Sequence, residues 1–264
     1  MQSTLRSVGL GLILAVGSSA ALAVPIPGQG TWQSTLQGRD LDGNAATFEA
    51  YYDTVLNVSW LADANFAMTS GYDADGLMTW NEADTWASNL SVFGVTGWRL
   101  PSDTPLNGTS IDYLNLSVDG TTDLGWADRV GWVDAAGNPL SELANMFSVT
   151  LGNLSECAFG DWGCLSGSPQ PGFGLTNTGP FSNLLAGAYW SGTTFNAGYL
   201  NAVTFDMASG ARLNSDAVFS QYAWAVRDGD IVGTVSVPEP AALALFGAGL
   251  LTMLLGSRRR KREH

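Results

Sequence analysis

The chain has 264 residues, with 24 acidic against 11 basic side chains, and a formal net charge of −13 at pH 7. Six of the basic residues but only one acidic residue lie in residues 1–23 and 241–264, so the 217 residues between them have a net charge of about −18. Such a charge opposes binding to nucleic acids and to anionic lipid surfaces.

Histidine and lysine are missing from this central part, because the single histidine is His264 and the single lysine is Lys261. Without imidazole or amine groups, Ser–His and Cys–His nucleophiles, Schiff-base chemistry and histidine-containing zinc sites are excluded there. Carboxylates, hydroxyls, tyrosines, arginines and two cysteines remain, so a non-catalytic protein is favoured over an enzyme. A central part of this length suffices for one packed domain.

The first 23 residues have the pattern of a secretory signal peptide. Arg6 supplies the positive start, residues 8–16 are apolar, and Ala21 and Ala23 form the small-x-small cleavage site. The mature chain is therefore expected to begin at Val24, after passage through a Sec-type export machinery. An uncleaved anchor is the alternative.

The next segments predict a lead-in followed by a β hairpin. Residues 24–45 are rich in Gly, Gln and Asp and are expected to form an N-terminal arm. Residues 47–53 and 56–60 alternate in hydrophobicity, as paired strands do.

Acidic residues follow in two groups that suggest calcium. Asp63, Asn65, Asp73 and Asp75 lie close together in sequence, and residues 40–44 form a second group. Oxygen ligands of this kind suit calcium, but neither group has glycine at the offset that an EF-hand loop requires. A calcium site that includes Asp63, Asp73 and Asp75 is one interpretation, and turn residues that satisfy backbone groups are the other.

Two helices are predicted. Thr79 and Glu82 form a capping box before a period-3.6 apolar pattern, which predicts a helix over 80–90. Asn138-Pro139 resembles a second helix start, with Pro at the first helical position, and apolar residues follow at helical spacing over 140–147.

The rest of the central part predicts strands and long loops. Residues 94–100 suggest a short strand, whereas 103–137 and 152–187 are rich in loop-forming residues. Three further strands are predicted at 188–194, 201–207 and 222–227. Strands at both ends of the domain and two helices between them indicate an α+β fold with a mostly antiparallel sheet and long loops.

Cys157 and Cys164 are the only cysteines, and export places them in an oxidising compartment. A disulfide between them would close a short loop around Trp162 and stabilise it by about 2.5 kcal/mol. The alternative, a catalytic thiol, lacks a histidine partner.

Three tryptophans lie in predicted loops: Trp126, Trp132 and Trp162. Flat rings in loops can stack on sugars, so these residues are candidates for ligand binding. Core packing is the competing interpretation.

Five short motifs together resemble the Lcl C-terminal-like family. They are Trp60–Asn65, Met78–Trp80, Gly97–Pro101, Tyr189–Thr193 and Ala223–Arg227. The resemblance covers residues 46–230 and implies a fold similar to the C-type lectins. An adhesin of this family binds sulfated glycans, but membership implies no general activity.

The C-terminus resembles the PEP-CTERM sorting signal of Gram-negative bacteria. After a linker over 231–236, Pro238, Glu239 and Pro240 precede an uncharged apolar segment, 241–257. The segment ends in a basic tail of Arg258, Arg259, Arg260, Lys261 and Arg262. The apolar segment is somewhat shorter than the ~30 Å hydrocarbon core of a bilayer, and the basic tail would remain on the cytoplasmic side.

The PEP-CTERM resemblance, which covers residues 237–262, implies an exosortase as partner. The precursor would be anchored transiently in the inner membrane and then released to the cell surface or extracellular matrix. The expected function is that of a non-catalytic surface or matrix component without a cofactor, calcium apart, which is either purely structural or binds extracellular polysaccharide. The alternatives are a carboxylate-based polysaccharide hydrolase and a permanently anchored periplasmic protein.

Overall fold

The computed structural model describes residues 30–128, 132–196 and 200–231. The strands are β1 (Leu36–Arg39), β2 (Ala50–Asp53), β3 (Val58–Leu61), β4 (Leu77–Met78), β5 (Trp98–Arg99), β6 (Leu116–Ser117), β7 (Leu124–Trp126), β8 (Ala188–Asn196), β9 (Leu200–Asp206), β10 (Ala211–Asp216), β11 (Gln221–Tyr222) and β12 (Val226–Asp228). The α helices are α1 (Trp32–Thr35), α2 (Phe66–Thr69), α3 (Trp80–Asn89) and α4 (Glu142–Asn145), with a π-helical turn at Met146–Thr150 and a 3₁₀ helix at Trp162–Ser166.

The strands form two open sheets. One has five strands in the order β1-β2-β3-β12-β5, and the other has seven in the order β4-β11-β8-β9-β10-β7-β6. Strand β12 lies between β3 and β5, so that Val226 pairs with both Trp60 and Arg99. Most neighbours are antiparallel, although β11 is parallel to β8 and β6 is parallel to β7. The predicted mixed α+β class is confirmed, and strands from both ends of the domain share a sheet.

The strand predicted at 222–227 is divided between the two sheets. Strand β11 pairs with β4 and β8, whereas β12 pairs with β3 and β5. The residues between them, Ala223, Trp224 and Ala225, are fully buried. A continuous apolar run gives no alternation that would reveal such a crossover.

Helix α3 begins at the predicted residue. The carboxylate of Glu82 accepts hydrogen bonds from the backbone N–H of Thr79 at 3.0 Å and from its hydroxyl at 2.7 Å. Ala83, Trp86 and Ala87 are the buried residues of the helix, which is the face that the period-3.6 pattern predicts.

The second helix begins later than predicted, which corrects its start at Asn138-Pro139. Asn138 instead closes a turn in which its side chain donates to Asp134 at 2.8 Å. Ser141 is the N-cap of α4, because its hydroxyl accepts the N–H of Ala144 at 3.3 Å. A serine with its own hydroxyl acceptor competes successfully with a proline as the helix start.

The described part of the predicted arm, residues 30–45, belongs to the folded domain. Strand β1 forms the edge of the five-stranded sheet and pairs with β2 along its whole length. Trp32, Leu36 and Leu41 pack against the core. The folded domain therefore begins before residue 46.

Aromatic side chains dominate the core. The rings of Trp60 and Trp224 lie 4.5 Å apart. The indole N–H groups of Trp190 and Trp224 donate to the carbonyls of Met78 and Leu61 at 2.7 and 2.9 Å. These two contacts satisfy the polar atoms of the Trp190 and Trp224 rings, whereas the buried indole N–H of Trp60 has no hydrogen-bond partner.

Candidate functional site

The predicted disulfide is present and lies beneath an exposed loop. Cys157 and Cys164 are bonded, with their Cα atoms 5.1 Å apart. Both sulfurs are buried and pack with Val118, Trp126 and Ala211 in a small apolar cluster. The loop is therefore stapled at its base and supported from below by the seven-stranded sheet.

Backbone hydrogen bonds hold both ends of this loop. The N–H of Glu156 donates to the carbonyl of Ser209 at 2.7 Å, and that of Gln170 donates to Glu156 at 2.9 Å. Near the tip, the N–H of Gly160 donates to Val118 at 2.9 Å. These hydrogen bonds, together with the disulfide, tie the loop to the rest of the domain.

The 3₁₀ helix Trp162–Ser166 forms the tip. Asp161 caps it by accepting the N–H of Gly163 at 2.8 Å, and Gly167 ends it with a positive φ of 90°. Since a 3₁₀ helix has three residues per turn, Trp162 and Leu165 lie on one face. Cys164 is directed inward by the same geometry.

Three large apolar side chains of the loop are exposed. Phe159, Trp162 and Leu165 have exposed fractions of 59%, 52% and 51%. All ten tryptophans lie in the described residues, and Trp162 alone is exposed. We define these three residues as the stapled apolar loop. Their spacing of three residues was the sequence signal that would have linked Phe159 and Leu165 to Trp162.

The other two tryptophan candidates are buried, so core packing, and not sugar stacking, applies to them. Trp126 is 7% exposed and packs beneath the disulfide. Trp132 is 2% exposed, donates its indole N–H to Thr122 at 2.8 Å, and lies 5.5 Å from the guanidinium of Arg212. Both rings stabilise the sheet that supports the stapled apolar loop.

The acidic residues proposed for calcium satisfy backbone and side-chain donors. Asp63 accepts from Asn65, Thr69 and Asn183 at 2.7–3.0 Å. Asp73 and Asp75 accept backbone N–H groups that follow them in a turn. These contacts are those of turn-forming aspartates.

The structure brings the carboxylates of a different acidic group close together. In the described ranges, Asp40, Asp42 and Glu49 form the one group of three or more possible ligands whose candidate atoms lie within 4.8 Å of one another. Asp40 and Asp42 belong to the second acidic group noted in the sequence. Each of the three carboxylates accepts a backbone N–H of the same loop at 2.7 Å.

A carboxyl group with a raised pKa, as a general acid needs, is enclosed in the protein. Burial raises the pKa of Asp103 to about 6, and the charge of Arg212 opposes that rise. Asp103 is 3% exposed, and its carboxylate accepts the hydroxyl of Ser141 at 3.0 Å. A polysaccharide has no access to this group in the described structure.

The residues of the signal peptide and of the sorting signal lie outside the described residues. These include Ala21, Ala23, Pro238, Glu239, Pro240, the basic tail 258–262 and the apolar segment 241–257. Every helix in the described part of the chain is too short or too polar to span a bilayer.

Comparison with protein families identifies one match. Residues 236–261 match the PEP-CTERM protein-sorting motif. Comparisons with curated proteins and with solved structures give no match. The motif supports a protein that is exported as a membrane-anchored precursor and processed by an exosortase.

Proposed function

We propose that this protein is a non-catalytic component of the cell surface or extracellular matrix that binds a glycan through the stapled apolar loop. The carrying observation is the exposure of Trp162 on a loop fixed by a disulfide. An exposed aromatic ring is well suited to stack on the apolar face of a sugar. Because the loop is already ordered, binding loses little conformational entropy.

The chemistry of the loop supports a neutral or weakly charged polysaccharide. Phe159 and Leu165 extend the apolar surface beside Trp162, and Asp161 places a carboxylate next to the ring. A carboxylate accepts hydrogen bonds from sugar hydroxyls. The net negative charge of the domain disfavours a strongly anionic glycan. The expected ligand therefore differs from the sulfated glycans that the Lcl adhesin binds.

The proposal also includes the type of fold. We infer that the described domain is similar to the C-type lectins, because strands from its two ends share a sheet and long loops project from it. The lack of histidine and lysine in the central part, together with the enclosure of Asp103, supports a binding role over catalysis.

Replacing Trp162 with alanine is expected to weaken glycan binding about tenfold, since loss of one well-placed ring contact removes on the order of 1.4 kcal/mol. The measurement is binding of the purified full chain to an array of bacterial exopolysaccharides. Trp162→Phe is expected to retain part of the affinity. Phe219→Ala is the matched control, because Phe219 is 62% exposed but lies outside the loop.

The melting temperature of Trp162→Ala should remain close to that of the native protein, because the ring is half exposed. Absence of glycan binding by the native protein would contradict the proposal. Equal binding by Trp162→Ala and the native protein would place the glycan elsewhere.

Replacing Pro238, Glu239 and Pro240 together with alanine is expected to abolish release from the inner membrane. Proline favours an extended backbone at itself and at the residue before it, which is the conformation in which a protease cleaves a chain, and alanines would remove that preference. Fractionation followed by intact mass measurement of the mature C-terminus gives the readout. A second Pro-x-Pro sequence, Pro169-Gln170-Pro171, provides the matched control.

Changing Pro169 and Pro171 to alanine should leave processing unchanged. A native protein that retains its basic tail and stays in the inner-membrane fraction would contradict exosortase release. It would instead support the permanently anchored alternative.

A further inference from the structure

We propose that a pocket bounded by Phe48 and Phe93 binds an alkylated ammonium ion. The pocket has a volume of about 190 Å³ and lies on the five-stranded sheet, away from the stapled apolar loop. It is smaller than the roughly 300–1,000 Å³ of pockets that hold drug-sized ligands. Its size suits one small chemical group.

Aromatic and acidic residues line this ammonium pocket together. The lining includes three phenylalanines, Phe48, Phe66 and Phe93, and two acids, Glu49 and Asp63. Leu61, Ala62 and Val92 form apolar parts of the lining, and Ser182 completes it. Aromatic rings attract cations through their quadrupole, and they favour cations with apolar substituents because these lose little hydration.

No arginine among the described residues forms an ion pair with Glu49 or Asp63. In the described ranges, the arginine ion pairs involve other acids: Arg39 pairs with Asp230, Arg99 with Glu142 and Asp228, and Arg212 with Asp103 and Asp123. Further negative charge lies next to Glu49, because its candidate ligand atom is within 4.8 Å of those of Asp40 and Asp42.

The carboxylate of Asp63 can attract a cation by its charge, but most of its hydrogen-bond acceptor sites are already used. Three neutral donors, from Asn65, Thr69 and Asn183, already contact it. A sugar would need free acceptors here, whereas an alkylated ammonium ion needs only negative charge and apolar surface. This difference favours a cation over a second glycan site.

The backbone at Phe93 indicates that its ring is placed for contact with a ligand. Phe93 and Gly94 both have positive φ, 49° and 84°, between Val92 and Val95, whose backbone groups hydrogen-bond to each other at 2.9 and 3.0 Å. Such a turn strongly prefers Asn-Gly, and a bulky residue with positive φ is a conformational outlier. Phe93 is nevertheless 63% exposed. A strained, exposed phenylalanine at the rim of a pocket suggests a functional position.

The test is a titration of the full chain with choline in a non-ionic detergent, observed through the N-methyl proton signal of choline. Saturable binding is expected. The uncharged isostere 3,3-dimethylbutan-1-ol, in which carbon replaces nitrogen, should bind at least fivefold more weakly, as should Glu49→Gln with choline. Calcium chloride serves as the inorganic cation.

Phe93→Asn separates a binding role from a structural one. Asparagine fits positive φ, so this variant should melt at a higher temperature than the native protein while its affinity for choline falls at least fivefold. In Phe219→Asn, the matched control, the affinity should be unchanged, because Phe219 is equally exposed but lies outside the pocket.

Three results would overturn the proposal. The first is equal affinity for choline and its uncharged isostere, which would show that the pocket is merely apolar. The second is absence of saturable choline binding, whether or not calcium binds. The third is unchanged affinity of Phe93→Asn for choline.

Discussion

Replacing Arg212 with methionine is expected to lower the free energy of unfolding by about 3–5 kcal/mol, because it leaves buried carboxylates without their counter-charge. The side chains of Arg212 and Asp103 are both fully buried, and their Nε and Oδ1 atoms lie 2.6 Å apart. These two atoms are not aligned as a hydrogen bond, so the contact is chiefly an attraction of charges. Urea unfolding measures the loss.

Several segments converge on this guanidinium. It donates to the carbonyl of Thr104 at 3.1 Å and lies 3.8 Å from a carboxylate oxygen of Asp123. Asp123 in turn accepts the backbone N–H groups of Leu106 and Asp112 at 2.7 Å. One cation therefore organises a loop of many polar residues against strand β10.

The loss in Arg212→Met should depend on pH in a defined direction. The pKa of Asp103 is already raised by burial to about 6, and removal of the arginine raises it further. A group whose pKa is raised on folding stabilises the folded state below its unfolded pKa, and that contribution is lost as the pH rises through the folded pKa. The free energy of unfolding that Arg212→Met loses relative to the native protein should therefore be smaller at pH 5.5 than at pH 8.

Arg99→Met provides the control for this experiment. Arg99 also pairs with two carboxylates, those of Glu142 and Asp228, but its side chain is 31% exposed. Arg99→Met is expected to lower the free energy of unfolding by about 1 kcal/mol or less, without the same pH dependence. Equal deficits of Arg212→Met at the two pH values would contradict a charged Asp103 as the source of the instability.

Local patterns in the sequence predict the local elements of this domain. Helix α3, the hairpin of β2 and β3, and strands β8 and β9 all follow from periodicity and capping residues. Strand β10 was not predicted, although it pairs with β9 over six residues. Its residues include Arg212 and alternate weakly, because a buried charge occupies a position where the pattern requires an apolar residue.

Long-range features required the structure. The pairing of β12 with β3 joins residues 166 or more positions apart, and nothing local in either strand specifies the partner. Exposure of Trp162 and burial of Trp126 could not be distinguished either, since both lie in glycine-rich surroundings. The disulfide was predictable, but which ring lies above it and which below was not.

The ammonium pocket also escaped prediction for a physical reason. Phe93 occupies a turn position that normally holds asparagine, so residues 92–95 lack the Asn-Gly pattern that predicts a turn. Positions that violate a local rule are expected to be strained or functional. Here the violation itself identifies the residue that the choline titration tests.

Alanine at Gly125 is expected to destabilise the domain by roughly 3–6 kcal/mol, which combines backbone strain with overpacking. Gly125 has a φ of 115°, and an added Cβ would lie 2.0 Å from the carbonyl oxygen of Ser117. That oxygen belongs to strand β6, so relief of the clash would separate β6 from β7. Because Gly125 also pairs with Arg212 on β10, the shift would disturb the buried ion pair.

Gly137→Ala separates strain from steric clash. Gly137 also has a positive φ, 86°, but an added Cβ would meet nothing within 4 Å. The cost there should be roughly 1–2 kcal/mol, that of the left-handed conformation alone. Denaturation midpoints of the two variants, measured by urea unfolding, give the comparison. Similar midpoints would show that β6 moves away from β7 at little cost, and that the sheet beneath the stapled apolar loop is less rigid than its packing indicates.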